Sequence, residues 1–207
     1  MNFVQRAPVG DLHVSHGLTY VSLACGLAAI AAAARPDGHV AGACLALAAL
    51  ADTFDGRFAR LFARTQRQHA VGGQIDSLVD ACVFGMAPVA VLGMQAPPAP
   101  GVEAGLWWAA ALAYVLATVT RLGSFNVEGN SRSFVGVPTP AIALIWSSVL
   151  LFTAPPALVA SLFVATAASM VAPIAIRRPR PSVLALFAGW AGALVAVHAL
   201  AAVRALG

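Results

Sequence analysis

Four of the eight acidic residues in this 207-residue chain fall within DTFDGRFARLFARTQRQHAVGGQIDSLVD, residues 52–80. They form two pairs, Asp52 with Asp55 and Asp76 with Asp80. Spacings of i,i+3 and i,i+4 put the two carboxylates of a pair on one face of a helix. Oxygen ligands clustered in this way suit a hard divalent cation such as magnesium or manganese, and their number accommodates two ions. Gly56 follows Asp55 directly, inside a helix where glycine costs about 1 kcal/mol relative to alanine. A glycine there marks close approach by a ligand or another backbone. Ala59 keeps the next turn shallow, Gly72 precedes Asp76 by one turn, and Arg60 adds positive charge. Carboxylates for cations, small residues for clearance and a nearby arginine together suit a pyrophosphate clamped by metal at a membrane surface.

The elements that must hold these acids are membrane helices. Hydrophobic residues make up 60% of the chain and charged residues 10%, and the mean hydropathy is +0.83, outside the range of soluble domains. The length predicts one domain over 1–207. Apolar runs mark spans near 17–34, 39–62, 73–94, 104–122, 138–153, 156–175 and 182–203. Each is close to the roughly 20 residues that cross about 30 Å of hydrocarbon. The expected fold is therefore all-α, a polytopic membrane bundle of about seven helices. Residues 1–16 form a cytosolic leader, with no cleavable signal expected. Pro155-Pro156 leaves a six-span alternative open, in which 138–175 is one broken span.

Depth can be read from the same runs. Residues 40–51 supply only 12 apolar positions, about 18 Å of helix at 1.5 Å per residue. A crossing helix must continue through Asp52 and Asp55. Residues 81–94 supply 14, so the third span must begin with Asp76 and Asp80. Both pairs then lie at one depth on consecutive antiparallel helices. All twelve basic residues are arginine, which excludes lysine Schiff-base chemistry. With the amino terminus inside, ten arginines lie on the side of the acids, and Arg35 and Arg204 alone lie opposite. This bias orients the acids toward the cytosol. A helix boundary accounts for one such aspartate, whereas four at one depth mark function. A cation-coupled transporter also buries carboxylates, typically near the midplane, and stands as the alternative of a different class. Cys25, Cys44 and Cys82 lack metal-ligand spacing and read as buried thiols. Gly38 and Gly42 suit close helix packing, with a homodimer as a further reading.

DTFDGRFAR, eleven residues, then GGQIDSLVD resembles the D-x-x-D-G-x-x-A-R…G-x-x-x-D-x-x-x-D motif of the CDP-alcohol phosphatidyltransferases. The gap is slightly longer than the commonest in that family. DSLVDACVFGMAPV, RLGSFNV and FVGVPTPAIA are similar to signatures of its bacterial and archaeal phosphatidylserine synthases. The resemblance covers about 17–178, leaving 182–203 as an extra C-terminal span without a signature. It implies transfer of the phosphatidyl group of CDP-diacylglycerol to L-serine, giving phosphatidylserine and CMP, in a bacterial or archaeal membrane. It implies Asp52, Asp55 and Asp76 as ligands of Mg²⁺ or Mn²⁺. Asp80 shares the second ion and acts as general base. Gly56, Ala59, Arg60 and Gly72 then line the nucleotide and pyrophosphate pocket. Arg121, Asn126 and Arg132, on the side where serine arrives, are candidates for its carboxylate. Two departures bear on the acceptor. Ser124 stands where the subfamily commonly has a second arginine, and Ala81 where relatives using phosphorylated alcohols carry a basic residue. Glycerol 3-phosphate, inositol phosphate and choline remain alternative acceptors. Ser77 reads as structural and turned away from the acids, His69 as solvated, and Pro138 and Pro140 as shaping the fifth span. No nucleic-acid partner is expected.

Overall fold

The computed structural model describes residues 8–36, 38–128, 133–177 and 180–204. Two short 3-10 helices, Pro8–Asp11 and Val14–His16, lead into α1 (Gly17–Ala32) and α2 (His39–Ala59). Helix α3 (Gln66–Asp80) runs through a π-helical turn, Ala81–Met86, into α4 (Ala87–Gln95), so the three form one rod. Helices α5 (Val102–Glu128), α6 (Thr139–Val149), α7 (Pro156–Val171) and α8 (Pro181–Arg204) follow. The described residues thus form seven helical rods, as the apolar runs predict. Four stretches are long and apolar enough to cross a membrane: Val14–Ala32, Gln66–Gln95, Val102–Val127 and Pro181–Arg204. Leu112, Leu116, Leu186 and Leu200 stand exposed on their flanks, as acyl chains require. The protein is an integral membrane bundle.

Helix α2 has 21 residues, about 31 Å at 1.5 Å per residue, and it does continue through Asp52 and Asp55. Helix α3 starts at Gln66 rather than near 73. Thr65 caps it reciprocally with Gln68: the Gln68 N–H donates to Thr65 Oγ1 at 3.2 Å, and the Thr65 N–H donates to Gln68 Oε1 at 3.0 Å. That cap carries the helix through polar sequence which hydropathy alone excludes. Helices α6 and α7, at 11 and 16 residues, are shorter than the expected spans. They are nevertheless separate elements and not one broken span. Pro155 and Pro156 open α7, which packs on α5, whereas α6 packs on α2 and α8.

One feature lies outside the all-α expectation. Ser133–Val135 pairs antiparallel with Ala175–Arg177, in the register Phe134↔Ile176. The ribbon ties the segment before α6 to the segment after α7. Gly136 follows it at φ +74°, where a Cβ would overlap the Met170 carbonyl.

Two apolar clusters hold the bundle together. The larger gathers around the buried rings of Trp107, Tyr114, Trp146 and Phe163. The smaller, including Ala46, Ala49, Val79, Phe84 and Leu144, lies along the segments that lead to the acids. Helix α8 is anchored by His198, which is fully buried. Its Nε2 donates to the Ser147 carbonyl at 2.9 Å, and its Nδ1 lies 3.3 Å from His39 Nδ1. Ser147 Oγ donates to the Gly42 carbonyl at 2.8 Å. Gly42 is required because any Cβ there would overlap the His198 ring.

Candidate active site

Helix α2 packs chiefly on α1, α6 and α8, and α3 on α1 and α5. The acidic faces of α2 and α3 therefore look at each other across a gap. Asp52, Asp76 and Asp80 each present a carboxylate oxygen there, all within 4.8 Å of one another. Asp52 lies against Asp80, and Asp55 against Asp76. Thr19 Oγ1 of α1 donates to Asp55 Oδ2 at 3.1 Å, and Thr139 Oγ1 of α6 to Asp80 Oδ2 at 3.4 Å. Asp76 Oδ1 and Asp80 Oδ1 are buried without a hydrogen-bond partner among the described residues. Two unit charges at such a separation repel by about 3 kcal/mol even at an effective dielectric near 20. Buried, crowded and short of donors, these carboxylates fit a hard cation.

They border a cavity of about 190 Å³, lined by the four aspartates with Ser77, Arg121, Leu122, Phe125, Pro138, Thr139 and Pro140. Arg121 stands near Asp80 and Asp52, yet its Nε is buried without a partner. The π-turn begins directly after Asp80. Tyr114 donates its hydroxyl to the Phe84 carbonyl within that turn, and Trp146 Nε1 donates to the Tyr114 oxygen at 3.0 Å. Such turns leave carbonyls out of the regular ladder and recur at functional sites. Here buried side chains of α5 and α6 satisfy and fix it.

The candidates from the sequence fall into three groups. Asp52, Asp55, Asp76, Asp80 and Arg121 come together around the cavity. Gly56 faces open space, as does Gly73, so the clearance read at Gly56 is present. Gly72 provides no such opening, because His16 of the leader occupies the position that its Cβ would take. Ala59 is buried, and Arg60 is exposed at the end of α2, away from the cavity wall. Ser77 lines the cavity rather than turning away from it. Its hydroxyl lies 3.0 Å from Asn126 Oδ1 and 3.2 Å from the Gly73 carbonyl, and can donate to either. Asn126 is thereby tied to the cavity rim. His69 is exposed, as expected. Arg132 lies outside the described residues. Cys25 and Cys44 are half-buried free thiols, while Cys82 is exposed rather than buried. The sequence reading missed Thr19, Thr139 and Phe125. The first two reach acids 36 and 59 residues away in sequence, and no local spacing records that.

A family model described as CDP-alcohol phosphatidyltransferase matches residues 12–177. The chain belongs to the CDP-alcohol phosphatidyltransferase family. The cavity and every residue that holds it, from Thr19 to Pro140, lie inside the matched region. Among curated relatives, the chain is 37% identical over 135 residues to a CDP-diacylglycerol–serine O-phosphatidyltransferase of Mycobacterium leprae. That match covers 61% of this chain and 43% of the relative. It is 34% identical over 118 residues to an archaetidylserine synthase of Methanothermobacter thermautotrophicus, covering 56% of this chain and 48% of the relative. A CDP-diacylglycerol–serine O-phosphatidyltransferase of Helicobacter pylori is 34% identical over 98 residues, 45% of this chain and 38% of the relative. The matches thus span less than half the length of these relatives.

Proposed function

We propose that this family member transfers the phosphatidyl group of CDP-diacylglycerol to the hydroxyl of L-serine, giving phosphatidylserine and CMP. The observation that carries the reading is the set of three carboxylate oxygens within 4.8 Å, on aspartates of which Asp76 and Asp80 each keep a buried oxygen lacking a partner. Asp52, Asp55, Asp76 and Asp80 would hold two Mg²⁺ or Mn²⁺ ions. When bound, divalent cations supply charge neutralisation for the pyrophosphate and its CMP leaving group. Serine as acceptor is supported by the serine-using relatives and by Ala81, which leaves no basic residue after Asp80 for a phosphorylated alcohol.

The residues divide the work as follows. Asp80 accepts the proton of the serine hydroxyl as the new O–P bond forms and the bond to CMP breaks. Arg121 offers its guanidinium to the serine carboxylate from the cavity wall. Asn126, which can accept from Ser77, keeps its amide N–H groups free to donate at the rim, and Arg132 is the third acceptor contact. Gly56 and Ala59 border the nucleotide, with Arg60 supporting the phosphates at the edge. Gly72 serves that side of the site by admitting His16. The acyl chains stay in the bilayer beside the exposed leucines, which places the chemistry at the end of the spans. The arginine bias turns this end toward the cytosol.

Purified protein given CDP-diacylglycerol and Mn²⁺ or Mg²⁺ is expected to release CMP when serine is added, and chelation with EDTA to stop it. Release with glycerol 3-phosphate but not serine would overturn the acceptor and spare the family chemistry.

A further inference from the structure

Thr139 is 1% exposed, and its hydroxyl donates to Asp80 Oδ2 at 3.4 Å. The bond is longer than the usual hydroxyl–oxygen distance of about 2.7 Å, so it steers the carboxylate rather than clamping it. Asp80 Oδ1 is buried with no partner. One oxygen is therefore held and the other is free. The terminal torsion of an aspartate is broad, so the hydrogen bond from Thr139, together with the Asp52 carboxylate beside it, sets where the other oxygen points.

The chain around Thr139 is built to fix that hydroxyl. Thr139 is the first residue of α6, between Pro138 (φ −63°, ψ 139°) and Pro140. Two prolines restrict the backbone, and β-branching restricts the side chain. Upstream, the Gly136 N–H donates to the Ile174 carbonyl at 3.0 Å and the Val137 N–H to the Ser169 carbonyl at 3.1 Å. The ribbon from Ser133 to Val135 closes the same loop. The end of α7 thus sets the position of Thr139. Within helix interiors the hydroxyls of Thr118 and Thr166 are satisfied on their own helix, on Tyr114 O at 2.9 Å and Leu162 O at 2.6 Å. At the first position of a helix no preceding turn offers a carbonyl, so the hydroxyl of Thr139 is free to reach across to α3.

We propose that Thr139 is a positioning residue, holding Asp80 so that its free oxygen faces the cation and the acceptor. The proposal rests on the reading of Asp80 as ligand and base. Thr139→Val keeps the branching and removes the hydroxyl, Thr139→Ser keeps the hydroxyl, and Thr139→Cys gives a second hydroxyl-free side chain should valine disturb folding. The purified full chain is assayed for kcat and KM with serine, for Mn²⁺ affinity by electron paramagnetic resonance titration, and for melting temperature. The hydroxyl-free variants are expected to lose about tenfold or more in kcat and in Mn²⁺ affinity. Their KM for serine should stay within about twofold and their melting temperature should be unchanged. Thr139→Ser should restore both losses. Wild-type kcat and Mn²⁺ affinity in Thr139→Val and Thr139→Cys would overturn the proposal, as would a serine variant that falls with them. Should the wild-type chain release no CMP with any alcohol, the functional reading fails by itself, and the Mn²⁺ titration still decides the role of Thr139.

Discussion

At the His39 end of α2, buried polar groups find partners within the protein: His198 Nε2 on the Ser147 carbonyl, and Ser147 Oγ on the Gly42 carbonyl. At the Asp52 end, crowded carboxylates keep buried oxygens with no partner, and the nearby Arg121 Nε is also unpartnered. Both ends use long-range contacts, small residues and antiparallel helices, so the fold is able to satisfy polar groups where stability alone governs. Unpaired donors and acceptors are costly in an apolar interior. Asp76 Oδ1, Asp80 Oδ1 and Arg121 Nε gather beside one cavity, whereas His16 and Trp107 carry such atoms elsewhere, and the cavity is where an outside partner completes the structure.

The sharpest way to break the comparison is Asp80→Asn. The variant should lose roughly a thousandfold in CMP release if Asp80 is the base, with metal-dependent nucleotide binding retained. Activity within about tenfold of wild type would remove Asp80 from that role. Asp76→Asn tests the energetic side. It relieves repulsion in the cation-free protein, so the apo form should gain on the order of 1 kcal/mol or more in stability while turnover collapses. A loss of apo stability would mean that the carboxylate already has its partner. At the other end the signs reverse. His198→Ala should cost about 2 kcal/mol or more through the vacated ring volume and unpaired carbonyl, with kcat nearly unchanged. The smallest effects separate two glycines of the same motif. Gly72→Ala must displace His16 and should lower the melting temperature, at about 1 kcal/mol or more. Gly56→Ala, facing open space, should raise stability by up to about 1 kcal/mol and raise KM for CDP-diacylglycerol severalfold. Equal behaviour of the two would erase the distinction between packing and clearance.

The acidic face was readable from residue order because i,i+3 and i,i+4 spacing is local, and a count of apolar positions fixes depth. The number of rods followed from the same counts. What escaped depends on contacts between distant segments. His16 against Gly72, His198 beneath Gly42, Thr19 on Asp55 and Thr139 on Asp80 leave no periodic trace. The ribbon joining Ser133–Val135 to Ala175–Arg177 is too short to show alternation. Helix α8 illustrates the point most plainly. Its sequence offers only hydropathy, yet one histidine among those apolar residues anchors it to two other helices.

The π-turn from Ala81 to Met86 has a consequence for the angular phase of its rod. Each α-helical residue advances the chain by about 100°, and a π-turn accommodates one extra residue without breaking the rod. The halves on either side are therefore indexed independently. One half aligns Asp76 and Asp80 with α2, and the other aligns Val91 and Leu92 with the aromatic core. Winding the same residues as a uniform α-helix would swing the carboxylates about 100° off the cavity, with the core half left in register. A single inserted residue acts as the gear offset that lets one helix keep two alignments.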